Sequence, residues 1–114
     1  MRQVAERLDA KPASEAVLLI LLSLAEKPRH GYALIKDIET LSQGRVRMST
    51  GTLYGALRRL LEDQWIHRFE QADTSREKQA YRLTSLGRKQ LQKELDRMRQ
   101  LTRAASVRLR TEEA

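Results

Sequence analysis

The chain has 114 residues, of which 40% are hydrophobic and 32% are charged, and this length and composition fit one small globular domain. It contains no cysteine and only two histidines, which excludes a disulfide framework and a cysteine–histidine zinc site, so no metal or cofactor is expected. The longest apolar stretch, residues 16–25, is about half of the roughly 20 residues that cross a bilayer. We therefore predict a cytoplasmic protein with no membrane-spanning helix.

The net charge of +7, from 22 basic and 15 acidic residues, is unevenly distributed along the chain. Residues 1–43 hold six of each sign, residues 44–82 hold eight basic and five acidic residues, and residues 83–111 hold eight basic and two acidic residues. The positive field belongs to the middle and the last third of the chain. This distribution favours a polyanionic partner such as nucleic acid.

The first predicted helix is preceded by a flexible arm at residues 1–12, which lacks an apolar stripe. Ser14 is the predicted N-cap, and the helix ends near Glu26, before Lys27 and Pro28. The helix interior is apolar around nearly its whole circumference, so it requires cover on two sides. The helices of the same chain supply one side, and we expect a partner subunit to supply the other.

The second predicted helix opens at His30 and Gly31 and ends at Gly44. Its apolar positions recur at spacings of four and three, which predicts an amphipathic helix with one buried face: Leu34, Ile38 and Leu41.

The third predicted helix begins after Ser49, its N-cap. Apolar residues share one face, whereas the opposite face is small at Gly51 and Gly55 and basic at Arg58. Two exposed helical glycines cost roughly 1 kcal/mol each relative to alanine, which implies that close approach of another molecule is required there. Hydroxyls and free N–H groups at the helix start suit a phosphate, and arginines can reach phosphates or guanine edges. The predicted DNA-binding residues of this helix are Ser49, Thr50, Gly51, Thr52, Tyr54, Arg58 and Arg59.

A β-hairpin is predicted next, with strands at residues 65–70 and 78–83 around a polar tip. Arg76 and Lys78 at this tip are the candidates for contact with DNA phosphates or the minor groove. Trp65 lies at the junction of the third helix and the first strand. We interpret it as a half-buried packing residue, with a candidate effector pocket as the alternative.

Thr84 caps a long last helix, residues 84–110, which is followed by a short tail at residues 111–114. Its apolar positions follow a heptad rhythm, and its charge excess leaves two interpretations, a basic helix lying on a membrane or a dimerisation helix. The apolar first helix favours dimerisation because it needs a second cover. The predicted interface comprises Leu18, Leu22, Leu91, Leu95, Met98, Leu101, Thr102, Ala105 and Leu109.

Three helices, a hairpin and a further helix, in this order, predict a mainly α winged helix-turn-helix domain at residues 13–83, followed by the dimerisation helix. In such a domain the third helix enters the major groove and the hairpin reaches the adjacent backbone. No nucleophile–base constellation or phosphate-binding glycine loop accompanies the pattern, so we predict no enzyme. The partner is then double-stranded DNA, and the alternative is a protein-interaction module with a basic surface.

Three segments of the chain together resemble the PadR family of bacterial transcriptional regulators. They are His30, Gly31 and Tyr32; Ser49, Thr50, Gly51, Thr52, Leu53 and Tyr54 with Leu57, Arg58, Arg59 and Leu60; and Tyr81, Arg82, Leu83, Thr84 and Gly87. The resemblance spans residues 14–101 and is to the smaller subgroup with a single C-terminal helix. It implies a homodimer that exchanges C-terminal helices against first helices, a palindromic operator, and repression relieved by a small-molecule effector bound near the dimer interface.

Overall fold

The computed structural model describes residues 14–69 and 79–113, with side chains to residue 110. The elements follow in the order α1 (Glu15–Glu26), β1 (Arg29–His30), α2 (Gly31–Leu41), α3 (Thr50–Glu62), β2 (Ile66–Phe69), β3 (Ala80–Leu83) and α4 (Ser85–Glu113). The predicted N-terminal arm and the tip of the hairpin lie outside the described residues. Among those described, no helix has the length and apolar character needed to cross a bilayer.

The helices begin where the local sequence signals predicted. The hydroxyl of Ser14 accepts a hydrogen bond from the Val17 amide at 3.2 Å, and this caps α1. Helix α2 ends at Leu41, three residues before the predicted stop. The chain then turns through Gln43 and Gly44, both with positive φ, and the Gly44 amide donates to the Glu39 carbonyl at 2.8 Å.

The sheet has three antiparallel strands in the order β1-β3-β2, and not the two of the predicted hairpin. Strand β1 pairs with β3 through Arg29 opposite Tyr81 and His30 opposite Ala80. A two-residue strand is too short to show an alternating pattern, so only the pairing with β3 defines it. This pairing attaches the start of α2 directly to the hairpin.

A part-buried polar network holds β1 and α2 against α1. The Arg29 side chain, only 11% exposed, donates to the Ser23 carbonyl at 3.2 Å and forms ion pairs with Asp37 and Glu26. The Ser23 hydroxyl donates to the Asp37 carboxylate at 2.6 Å. Because Ser23 and Asp37 are fourteen residues apart, the network fixes the relative position of two helices.

Helix α1 lies at the centre of the core, packed against α2, β3 and the first half of α4. These elements bury most of the circumference of α1 within one chain. They cover both sides of the helix, including the side for which the sequence analysis expected a partner subunit. Val17, Leu22 and Ala25 remain half-buried. The fully buried centre of the core consists of Ile20, Leu21, Leu34, Ile38, Leu53, Leu57 and Ile66.

Candidate nucleic-acid interface

The start of α3 is capped by its own side chains. The Ser49 hydroxyl accepts a hydrogen bond from the Thr52 amide at 3.2 Å and donates to the Thr52 hydroxyl at 3.1 Å. The intervening Thr50 and Gly51 are exposed. Ser49 and Thr52 therefore have a structural role in the cap, and Thr50 presents its hydroxyl to solvent at the positive end of the helix dipole.

The outer face of α3 has the shape expected from the sequence. A Cβ atom added at Gly51 or Gly55 would meet nothing within 4 Å, so packing within the chain does not require a glycine at either position. Leu53, Leu57 and Leu60 on the opposite side are buried. The helix thus offers a low, open surface to a second molecule.

The arginines of this surface differ in electrostatic environment from the five described arginines that form ion pairs. Arg29, Arg45, Arg47, Arg97 and Arg99 each form an ion pair with a carboxylate. Arg58 and Arg59 are exposed and lie within ion-pair distance of no carboxylate in the described part of the chain. Their charge is therefore available to a partner.

Tyr54 stands between α3 and two other elements. It is 43% exposed, and its ring lies over the backbone of Gly31 at the start of α2. Its hydroxyl also lies close enough to Tyr81 of β3 to influence the ionisation of that residue. Burial raises the pKa of the Tyr81 hydroxyl, the proximity of Tyr54 adds to this, and Arg68 opposes it.

The strands of the hairpin add two arginines that sequence reasoning missed. Arg68 of β2 is exposed and lies 3.4 Å from the Gln79 side-chain oxygen, to which it donates. Arg82 of β3 is exposed and stands 5.8 Å from the Phe69 ring centroid, in a cation–π contact. Burial does not alternate along either strand, so strand periodicity gave no signal that could have found them. The predicted contacts Arg76 and Lys78 lie outside the described residues.

Trp65 lies at a joint between α3 and α4. Its amide donates to the Leu60 carbonyl at 3.0 Å, and its own carbonyl accepts from the Thr84 amide at 3.0 Å. Its side chain is half-buried against the core, as expected for a packing residue. Two surface grooves among the described residues lie along α2 and along α4, and Trp65 lines neither of them.

The predicted dimerisation residues divide into two groups. Leu18 and Leu91 are buried within the chain, and Leu22 and Leu95 are half-buried beside them. The others lie on the second half of α4 and are exposed, with Met98 at 36%, Leu101 at 50% and Leu109 at 62%. Thr102 and Ala105 are exposed between them. The apolar stripe of α4 thus continues from the core into solvent.

Three helices followed by a hairpin, with an exposed third helix beside it, define a winged-helix protein of the class that regulates transcription. The chain belongs to the transcriptional regulator PadR-like family, whose family model matches residues 20–93. This confirms the fold class, the resemblance and the expectation of a regulator in place of an enzyme.

Among curated proteins, the chain is 37% identical over 89 residues to an uncharacterized 37.1 kDa protein in transposon TN4556 of Streptomyces fradiae. The match covers 78% of this chain, which spans about a quarter (24%) of that relative.

Solved structures with the same fold include a PadR family transcription regulator from Clostridium difficile, with a TM-score of 0.71, 22% identity, and coverage of 84% of this chain and 99% of the other. A second, a PadR family transcriptional regulator from Eggerthella lenta, has a TM-score of 0.63, 26% identity and coverage of 80% of both chains.

Proposed function

We propose that the protein is a homodimeric, sequence-specific DNA-binding repressor that acts in the cytoplasm and inserts α3 into the major groove of a palindromic operator. The observation that carries this proposal is the outer face of α3, where two glycines leave the surface open and Arg58 and Arg59 are free of carboxylates among the described residues. A duplex can approach such a surface closely, and its phosphates and guanine edges accept hydrogen bonds from arginine.

The hairpin extends this surface along the DNA backbone. Arg68 and Tyr81 belong to paired positions of β2 and β3, and Tyr81 is close to Tyr54 of α3. Tyr81 is buried, so we infer that the exposed groups of this face are Tyr54, Arg58 and Arg59 of α3 and Arg68 of β2. We assign Thr50, Tyr54, Arg58 and Arg59 to groove and phosphate contacts, Arg68 to the adjacent backbone, and Arg76 and Lys78 to the tip of the wing.

The second half of α4 supports the dimer. Residues 96–110 span roughly 22 Å at 1.5 Å per residue, and nearly all of them are exposed. An isolated helical segment of this length is marginally stable in water, and exposed Met98, Leu101 and Leu109 add an unfavourable apolar surface. A second copy of the chain, packing its own α4 and the half-buried edge of α1 against this stripe, removes both costs.

Twofold symmetry then sets the geometry on DNA. The two α3 helices of a dimer would occupy successive major grooves about 34 Å apart, so the operator consists of inverted half-sites. Bound in this way, the dimer excludes other proteins from the promoter, which is repression. We propose that a small-molecule effector binds near the dimer interface and changes the separation of the α3 helices.

A binding titration tests the proposal. Fragments selected from the source genome are labelled, and their affinity is measured by fluorescence anisotropy over a range of salt concentrations. If about 6 to 8 phosphates are neutralised, log K falls with log salt at a slope of about −5 to −7. Failure of the protein to select any fragment would contradict DNA binding and favour the alternative of a protein-interaction module.

The Arg58→Ala variant tests the docking of α3. We expect it to weaken operator binding by about tenfold or more at each half-site, from the loss of a charged hydrogen bond. Arg103→Ala on α4 is the matched control, because it removes the same charge from another exposed arginine that forms no ion pair among the described residues. Equal affinities of the two variants would contradict the assigned orientation.

A further inference from the structure

Gly31 and Tyr54 are twenty-three residues apart in sequence and in direct contact in the fold. A Cβ atom built on Gly31 would lie 2.9 Å from Cζ of Tyr54 and closer still to the phenolic oxygen. Real Cβ atoms do not approach other atoms this closely. The absent side chain of Gly31 is therefore the space that the tyrosine hydroxyl occupies.

The backbone of Gly31 gives no other reason for glycine. Its φ is not positive, and it is the first residue of α2, so its helical backbone is one that alanine also adopts. The atoms that a new methyl group would meet belong to the far end of the Tyr54 side chain and not to the backbone. An alanine at this position can be accommodated by rotation of Tyr54 with little cost to folding.

The position of the Tyr54 ring matters for the surface described above. The hydroxyl lies where the start of α2, the first turns of α3 and the base of the hairpin converge, and it is near Tyr81 of β3. The side chain is packed against Gly31 at its hydroxyl end, yet the residue remains 43% exposed to solvent. A phenol fixed in this way can donate a hydrogen bond to a phosphate without a loss of rotamer freedom on binding.

We propose that Gly31 is a positioning residue for DNA binding: its missing side chain holds Tyr54 in place, with the hydroxyl end packed at Gly31, on the surface that faces the DNA backbone. This inference rests on the proposed function. It goes further by assigning a role in DNA affinity to a buried residue that itself contacts no nucleic acid.

A double-mutant cycle tests the inference, using the full chain and the selected operator at one salt concentration. The four proteins are the original chain, Gly31→Ala, Tyr54→Ala and the double variant. We expect Gly31→Ala to weaken binding by about tenfold per half-site, the effect of losing one hydrogen bond to a charged group. In the Tyr54→Ala background the same change should have no effect, because the methyl group then meets no ring.

Two measurements without DNA separate positioning from a general structural effect. The chain has three tyrosines, so ring resonances of ¹³C-labelled tyrosine can be assigned by substitution, and Gly31→Ala should shift those of Tyr54. Gly51→Ala, whose Cβ would meet nothing within 4 Å, is the control and should leave them in place. The urea midpoint of Gly31→Ala should be no lower than that of the original chain.

The outcomes are distinguishable. Equal binding by Gly31→Ala and the original chain, equal losses in both backgrounds of the cycle, or an unmoved Tyr54 ring would each overturn the positioning role while DNA binding stands. If the original chain selected no DNA but the ring moved, the proposed function would be wrong and the role in binding with it.

Discussion

The joint between α3 and α4 makes Gly87 the glycine whose substitution should cost most stability. A Cβ atom at this position would lie 2.9 Å from the Trp65 carbonyl carbon, 3.0 Å from Cδ1 of Leu83 and closer still to the Trp65 carbonyl oxygen. Two of these obstacles are backbone atoms, which cannot rotate away. Gly87→Ala therefore has to push the first turn of α4 away from the turn that ends α3.

The hydrogen bonds at this joint allow the cost to be estimated. The Thr84 hydroxyl donates to the Gln64 carbonyl at 2.8 Å and accepts from the Gly87 amide at 2.9 Å, while the Thr84 amide donates to the Trp65 carbonyl. Forced backbone movement costs about 1–3 kcal/mol, and a weakened N-cap costs about 1 kcal/mol more. Alanine is about 1 kcal/mol more favourable than glycine in a helix, which offsets part of this cost, so we expect the free energy of unfolding to fall by about 2 kcal/mol.

Urea unfolding measures this change, followed by circular dichroism and by the fluorescence of Trp65, the one tryptophan of the chain. With a slope of about 2 kcal/mol per molar urea, the midpoint should fall by about 1 M. The protomer concentration is kept constant, because the apparent stability of a dimer depends on it. Gly51→Ala is the matched control and should be as stable as the original chain or slightly more so. An unchanged midpoint for Gly87→Ala would refute the steric reasoning.

Three further predictions concern the dimer, an ion pair and the buried network. Met98→Glu should yield monomers in sedimentation velocity. Val107 lies nine residues later and therefore on the opposite side of α4, so Val107→Glu should remain dimeric. Dimers from both variants would contradict the assigned stripe. The Arg45 guanidinium donates to Glu15 at 2.6 Å and holds the pKa of that carboxyl below its usual 4.5. The stability that this ion pair adds is therefore present above pH 4.5 and is lost as the pH falls through the lowered pKa. Glu15→Gln should remove this contribution, and the urea midpoints of the two proteins, which differ at pH 7, should converge as the pH falls through the lowered pKa. A gap of constant size would exclude the ion pair as its cause. Asp37→Ala should destabilise by about 2 kcal/mol because it leaves the largely buried Arg29 underpaired, and Glu39→Ala, which breaks the exposed pair with Arg47, should cost at most about 1 kcal/mol in the same urea experiment.

Much of the helical architecture was predictable because its signals are local. Ser14 and Ser49 both cap the helices that they were expected to begin, since a side-chain oxygen and an amide three residues later meet whatever the rest of the chain does. The open face of α3 followed from helical periodicity, which places Gly51, Gly55 and Arg58 opposite Leu53.

The connections between elements were not predictable, because they join residues far apart in sequence. Strand β1 exists only through its pairing with β3, some fifty residues later. The sequence motifs include Gly31 and Gly87 but do not reveal why glycine is needed there. Packing brings the Tyr54 ring against Gly31 and the Trp65 carbonyl against Gly87, and these contacts are the reasons.

The chain alone thus determines which segments are helical and which face of α3 is polar, because neighbouring residues decide these properties by hydrogen bonding and periodicity. Only the tertiary structure decides where Tyr54 lies and how α4 is joined to α3, because these depend on distances between atoms that no local interaction controls.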